Sequence, residues 1–177
     1  MGMFWIAIAA FVLFAQPAVA QPDWTVTGEG EITWVADGDT FRLRAENHDN
    51  FEFLKNKAKL KQQRVERDLS VSERFRDDGS FLVRVGNIDT SESVHPDESK
   101  NSQAGNRASD YAKSFLDGEQ VEYVCWEIGY FGRAICSVRT DGWEYGIHMI
   151  NQGYSDYVTE YGKHPFWHDS YSEAQRN

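Results

Sequence analysis

Four acidic residues and two arginines fall where strands of this chain would begin or end. Asp37-Gly38-Asp39-Thr40 opens one alternating apolar run, Arg84 lies inside a second, Asp89-Thr90-Ser91-Glu92 closes it, and Gly132-Arg133 opens a third. Carboxylates are hard oxygen donors suited to a divalent cation, and beside a metal-bound water one can orient or deprotonate it. A guanidinium fork makes paired, charge-assisted hydrogen bonds to phosphate oxygens, which a lysine cannot reproduce geometrically. Together these groups meet the needs of phosphodiester cleavage: an activated water, neutralisation of a phosphate whose charge grows in the transition state, and a stabilised leaving oxygen. Taken singly, Asp37, Asp39 and Asp89 read as turn or strand-end residues, and Arg84 and Arg133 as solvated strand arginines. Only their conjunction points to chemistry.

The elements that must position them can be read from periodicity. A strand-like run from Gly30 to Ala36 precedes the Asp37–Thr40 motif, and Thr40 to Arg44 alternates so that Phe41 and Leu43 face a core while Arg42 and Arg44 face solvent. Leu69, Val71 and Phe75 alternate, Asp77-Asp78-Gly79-Ser80 makes a turn, and Phe81 to Asp89 is a strong strand, so a hairpin is expected there. Asn106 to Leu116 patterns as a helix with Ala108, Tyr111, Ala112 and Phe115 on one face, stopping at Asp117-Gly118. Strands follow around Val121–Ile128 and Arg133–Val138, then a turn or strand at Asp141-Gly142-Trp143, a helix from about Tyr145 to Gln152, and a last short helix within Pro165–Arg176. The order predicts an α+β, mainly β fold: a five-stranded OB-type antiparallel barrel with about three packed helices.

Cys125 and Cys136, the two cysteines, fall in the last two strand runs, where a hairpin with a Gly129–Gly132 loop sets them directly opposite. In an oxidising compartment an even count favours a disulfide; the alternative is a pair of small buried hydrophobes, because a cross-strand bridge requires the closer type of pair. Residues 1–20 carry no charge, hold an apolar run from Met3 to Phe14 and end in Ala18-Val19-Ala20. The run is shorter than the ~20 residues that span a bilayer, so it reads as a signal peptide cleaved after Ala20, with an uncleaved anchor as the alternative. The expectation is an exported protein, periplasmic or secreted, whose domain occupies residues 21–177 with no stable membrane association after cleavage. With 41% hydrophobic and 14% aromatic residues in 177 the chain can build one core, and its formal charge of −10 excludes the broadly basic surface of a duplex-wrapping protein. His164 and His168 stand four apart as metal pairs do, but Pro165 and the polar surroundings read instead as the exposed start of a surface helix.

In this order of elements the motifs resemble those of the staphylococcal nuclease (thermonuclease) family, over a stretch from about Glu31 to Gln175. The resemblance extends to SVHPDE after Glu92, the AGNRASDYAKSFL helix, the strand-turn-strand around FGRA and the NQGYSDY segment. It implies a Ca²⁺ held by Asp39, Asp89 and the carbonyl of Thr90, with Asp37 behind these ligands and Thr40 shaping the turn. It also implies that Glu92 positions or deprotonates the attacking water and that Arg84 and Arg133 grip the phosphate. The substrate would be single-stranded or frayed DNA and RNA, cleaved by a monomer with low sequence specificity to leave 3′-phosphate and 5′-hydroxyl ends. Two positions depart from the family pattern at the substrate side: Phe131 replaces a stacking tyrosine and Tyr130 a lysine. Tyr161 matches one of two family tyrosines, the other falling at Thr159, so Phe131 and Tyr161 are the expected substrate contacts. A non-catalytic OB-type nucleic-acid-binding module or a secreted interaction protein is the rival reading, although no carboxylate or arginine of the set is lost.

An insertion at about 46–76 separates the strand at Thr40 from the strand of Arg84, and it carries Lys55, Lys57, Lys59, Lys61, Arg64 and Arg67 on a weakly amphipathic helix. Six strand residues travel roughly 20 Å before the insertion begins, so the insertion is expected to lie away from the metal. Two readings remain open: a solvated decoration, or a surface that steers polyanions or binds a partner.

Overall fold

The computed structural model describes residues 21–91 and 102–177. The signal-peptide reading, Glu92 and the SVHPDE run therefore lie outside the described residues.

Five strands close the barrel: β1 (Val26–Val35), β2 (Thr40–Ala45), β3 (Ser80–Val85), β5 (Gln120–Ile128) and β6 (Ala134–Thr140). Their order is β3-β2-β1-β5-β6, and β3 pairs with β6 to complete the circle. That closing pair is parallel, with Val83, Arg84 and Val85 opposite Ala134, Ile135 and Cys136, so the barrel is mixed rather than wholly antiparallel. A β2–β3 hairpin interrupted by an insertion, then a helix crossing to β5, brings β6 back alongside β3 in the same direction. Inward residues alternate as strand geometry requires: Ile32, Phe41, Leu43, Phe81, Val83, Val121, Tyr123 and Val138 are all buried.

The expected strand from Phe81 to Asp89 is broken in two. Asn87 takes a left-handed conformation with φ 62°, ending β3 and starting β4 (Ile88–Thr90). This short strand leaves the barrel and pairs antiparallel with β8 (Ser155–Tyr157), setting Asp89 opposite Asp156. A two-residue strand, β7 (Trp143–Glu144), turns back to pair antiparallel with the end of β6.

Among the described residues five helices accompany the strands: the three packed helices that were expected, and two in the insertion, where one basic helix was expected. The insertion accounts for two: α1 (His48–Val65), started by the Asn47 side chain accepting from Asp49 N–H at 2.8 Å, and the single turn α2 (Val71–Arg74). The expected hairpin arm over Leu69–Phe75 is thus helical, and only a Phe75↔Phe81 bridge remains of it. The rest are α3 (Gln103–Leu116), α4 (Tyr145–Asn151) and α5 (His168–Ala174). Ala108, Ala112 and Leu116 give α3 its buried face, while Tyr111 and Phe115 lie at its margin.

Two side chains depart from their expected surroundings. His164 is fully buried rather than exposed. Its Nδ1 accepts from the backbone N–H groups of Phe166 and Trp167 at 3.2 and 3.1 Å, which leaves the ring proton on Nε2 to donate to Ser137 Oγ at 2.9 Å. Arg42, expected in solvent, is 6% exposed because α2 covers it, and its guanidinium donates to the carbonyl of Glu73.

The insertion does not stay away from the site end of the barrel. Eighteen helical residues span roughly 27 Å, enough to undo the outward travel of β2. Phe51, Leu54 and Ala58 bury against the barrel, and near the helix end Lys61 reaches Glu127 at 3.2 Å and the carbonyl of Ile128. Beyond α1, Arg67 donates to the carbonyl of Tyr130, and Leu69 packs on Gly132.

Candidate nucleic-acid cleavage site

The Asp37–Thr40 turn is held from below. Asp37 Oδ1 accepts from the backbone N–H of Asp39 at 3.2 Å, and the Tyr145 hydroxyl donates to the carbonyl of Gly38 at 2.9 Å. Gly38 has no room for a side chain, since a Cβ there would lie 2.7 Å from Thr90 Cγ2. Close approach of the β1–β2 turn to β4 is what brings the two acidic motifs together across 51 residues of sequence.

Asp39 is the hinge of that approach and is only 3% exposed. Its Oδ2 accepts from the backbone N–H and the hydroxyl of Thr90, at 3.0 and 3.1 Å. Its Oδ1 accepts from the Thr40 hydroxyl at 2.9 Å and from the guanidinium of Arg84. The same guanidinium reaches Asp89 Oδ1 at 2.6 Å and the carbonyl of Ile88 at 3.2 Å, so Arg84 bridges both carboxylates. Arg133 enters from the start of β6 and donates from Nη1 to the Thr40 hydroxyl at 2.9 Å. Asp89 itself projects outward, fixed at its backbone by Ser155, whose Oγ accepts from Asp89 N–H at 2.9 Å and donates to its carbonyl at 3.1 Å.

Burial pushes the Asp37 carboxyl up from its ordinary range, while the charges of Arg84 and Arg133 pull it back down. Burial also drives the Tyr145 phenol well above 10, and the nearby Asp37 adds to the effect, so this hydroxyl is a permanent donor to the turn. The structure thus gathers Asp37, Asp39, Thr40, Arg84, Asp89, Thr90 and Arg133 into one cluster. Phe131 and Tyr161 are exposed rings, 60% and 90% accessible, the first on the β5–β6 turn beside Gly132-Arg133 and the second on the segment after β8. That segment is moored by Asn87, whose side chain donates to the carbonyls of Val158 and Gly162, both at 2.8 Å.

The acidic side of this cluster offers a cation oxygen donors, from Asp39 and Asp89, beside the guanidinium of Arg84. Among the described residues no group of three or more His, Cys, Asp and Glu side chains gathers as a metal site, so the fit rests on Asp39, Asp89 and backbone oxygen. That set suits a hard, oxygen-seeking ion and not a thiolate- or imidazole-bound one. Both carboxylates already converge on one positive group, Arg84, which shows that their negative charge is focused on a common point.

Several positioning residues carry no signal in the sequence. Ser155 and Tyr145 hold the two acidic motifs through contacts far along the chain, which no local periodicity reveals. Leu69 and Arg67 brace the turn of Arg133 from an insertion whose return path cannot be read from its composition.

With this arrangement in place, the comparisons with known proteins are consistent with it. The family model described as Staphylococcal nuclease homologue matches residues 82–177, more than half of the chain, and the protein belongs to that family. No curated protein matched the chain. The matched region begins inside β3 and so excludes Asp37, Asp39 and Thr40. Their place in the site rests on the contacts of Asp39 with Thr90 and Arg84. Family and fold define a nuclease-like or nucleic-acid-binding OB module.

Proposed function

We propose that this protein is an exported, Ca²⁺-dependent nuclease that hydrolyses phosphodiester bonds of DNA, RNA or both with low sequence specificity. The observation that carries the reading is the bridge of Arg84 between Asp39 and Asp89, with Arg133 aimed at the same turn through Thr40. Asp39, Asp89 and the Thr90 carbonyl would hold the calcium ion, which when bound supplies positive charge for the phosphate and a more acidic water. Arg84 and Arg133 would bind the phosphate oxygens as their charge grows, a role for planar, always-protonated forks. Asp37 and Tyr145 keep the turn in shape. Glu92, two residues past the end of β4, would orient the water or take its proton.

Export is supported by the apolar residues 1–20 and by the Cys125–Cys136 disulfide, a bond that persists in oxidising compartments. The direct test is incubation of the purified protein with single-stranded DNA, RNA and plasmid, in millimolar Ca²⁺ and in chelator. Cleavage in calcium with 3′-phosphate ends, abolished by chelator, is the expected result. Intact single-stranded DNA and RNA in calcium would sink the nuclease reading and leave a binding module.

A further inference from the structure

The insertion forms one wall of an open groove of about 750 Å³, opposite residues 161–165 and beside residues 21–24 and the end of β5. That volume lies within the range of ligand clefts. Lys57, Lys61, Arg64 and Lys163 line it against two carboxylates, Asp23 and Glu127. Glu127 is already paired with Lys61. A net positive groove in a chain of formal charge −10 is a local departure from the rest of the surface.

The helix contributes more than charge. Positions 57, 60, 61, 64 and 65 recur at three- and four-residue spacing and so share one face. On that face Leu60 and Val65 expose apolar side chains, 56% and 44% accessible, between the cations. Trp24 adds a ring beside Lys57, and Tyr161 offers a nearly free ring on the opposite wall. Cations interleaved with one freely accessible ring, Tyr161, a half-buried one, Trp24, and exposed apolar side chains suit an extended polyanion with flat, unpaired bases. A duplex would present its phosphates but hide those base faces.

A chain of contacts leads from the groove wall toward the site. Lys61 holds the carbonyl of Ile128, and Arg67 lies over the ring of Tyr130 with its guanidinium carbon 3.8 Å from the centroid and 5.9 Å from that of Phe131. Gly132 and Arg133 follow at once, and Arg133 reaches Thr40.

We propose that this groove binds the single-stranded nucleic acid flanking the scissile phosphate, making the insertion a substrate-binding wall and not a decoration. The link to a scissile phosphate rests on the nuclease reading; strand binding by the groove does not.

The experiment uses a fluorescent 20-nucleotide oligothymidylate and the triple variant Lys57→Glu/Arg64→Glu/Lys163→Glu, with circular dichroism and melting to verify the fold. In chelator, anisotropy should show the variant binding about tenfold more weakly. Its salt slope should be smaller by about two, because each phosphate that a cation no longer neutralises removes ~0.7. In calcium, the ratio of kcat/KM for the 20-mer to that for a trinucleotide should fall about tenfold. Unchanged affinity and slope, an unchanged ratio, equal affinity for a 20-base-pair duplex, or displacement of the oligonucleotide by polyglutamate at equal charge would each overturn the proposal. A wild type that cleaves neither oligonucleotide yet binds the 20-mer, with binding abolished in the variant, would overturn the nuclease reading and support the groove.

Discussion

Arg84 Nη2 lies 2.6 Å from Asp89 Oδ1, five residues further along the same chain. The pair is possible because Asn87 turns the chain with a left-handed φ of 62°, so that β4 leaves the barrel while Asp89 stays within reach of Arg84. Arg84 also reaches the buried Asp39, so one cation ties together two carboxylates that would otherwise repel. Removing it should affect both ground state and chemistry. If Arg84 stabilises charge that grows on the phosphate, Arg84→Ala lowers kcat at saturating substrate by about 10²–10³-fold, the usual cost of losing one such donor. A loss confined to KM would make Arg84 a substrate anchor only.

The Arg133 turn depends on a glycine. Gly132 has φ 80°, and a Cβ there would sit 2.6 Å from the carbonyl oxygen of Leu69. Gly132→Ala should cost about 1–2 kcal/mol from the left-handed backbone alone, with a further cost from the crowding against Leu69. Chemical denaturation measures the first effect. Because the residue adjoins Arg133, kcat should drop as well, and a variant of unchanged stability would show that the insertion yields freely at this point.

The Cys125–Cys136 bond joins directly opposed residues of β5 and β6, both fully buried. Non-reducing mass spectrometry of the folded, oxidised protein should find the linked peptides. The loop closed is short, with a sequence separation of 11, so its stabilisation is at the lower end of the usual range, roughly 2–3 kcal/mol. Reduction should lower Tm without abolishing the fold; free thiols in the oxidised, folded protein would contradict the pairing.

His164 gives the stability a pH dependence. Burial pushes its imidazole down from 6.5 to about 3, and protonating Nδ1 would also break its bonds from Phe166 and Trp167. Between those two values the unfolded chain holds a proton that the folded chain refuses, so stability falls as pH drops from about 6.5 toward 3. The slope from this group approaches about 1.4 kcal/mol per pH unit. Glu144 works the other way. Burial raises its carboxyl above 4.5, so its contribution is lost as pH rises through the raised value. Urea titrations of wild type and His164→Gln across pH 4–7 isolate the histidine, whose variant should lose the difference in slope; parallel curves would contradict this role for the ring.

What was legible in the sequence followed from local pattern. Alternation around Phe41 and Leu43 marks β2, and the opposed Cys125 and Cys136 mark the register of the β5–β6 hairpin. The acidic and arginine motifs were legible as a set, and the described members of it do meet. Less legible was whatever depends on long-range contact. Asn87 breaks the strand after Val85 because β4 gains a partner in β8, 66 residues away at Asp89 and Ser155. His164 reads as exposed because Pro165 and its polar neighbours mark the start of a surface helix, yet Trp126 and Tyr171 close over the ring from other elements. The direction of α1 was hidden too, since composition gives a helix its charge but not the side of the barrel along which it returns.

The central claim is that the Arg84, Arg133, Asp39 and Asp89 cluster performs phosphodiester cleavage. The most direct measurement is single-turnover cleavage of a 5′-labelled single-stranded 20-mer in millimolar Ca²⁺, with enzyme in saturating excess, for wild type and for Arg133→Ala. Cleavage by the wild type that falls about 100-fold or more in a variant of near-native Tm is the expected result. An inert wild type, or a variant that cleaves at the wild-type rate, would contradict it.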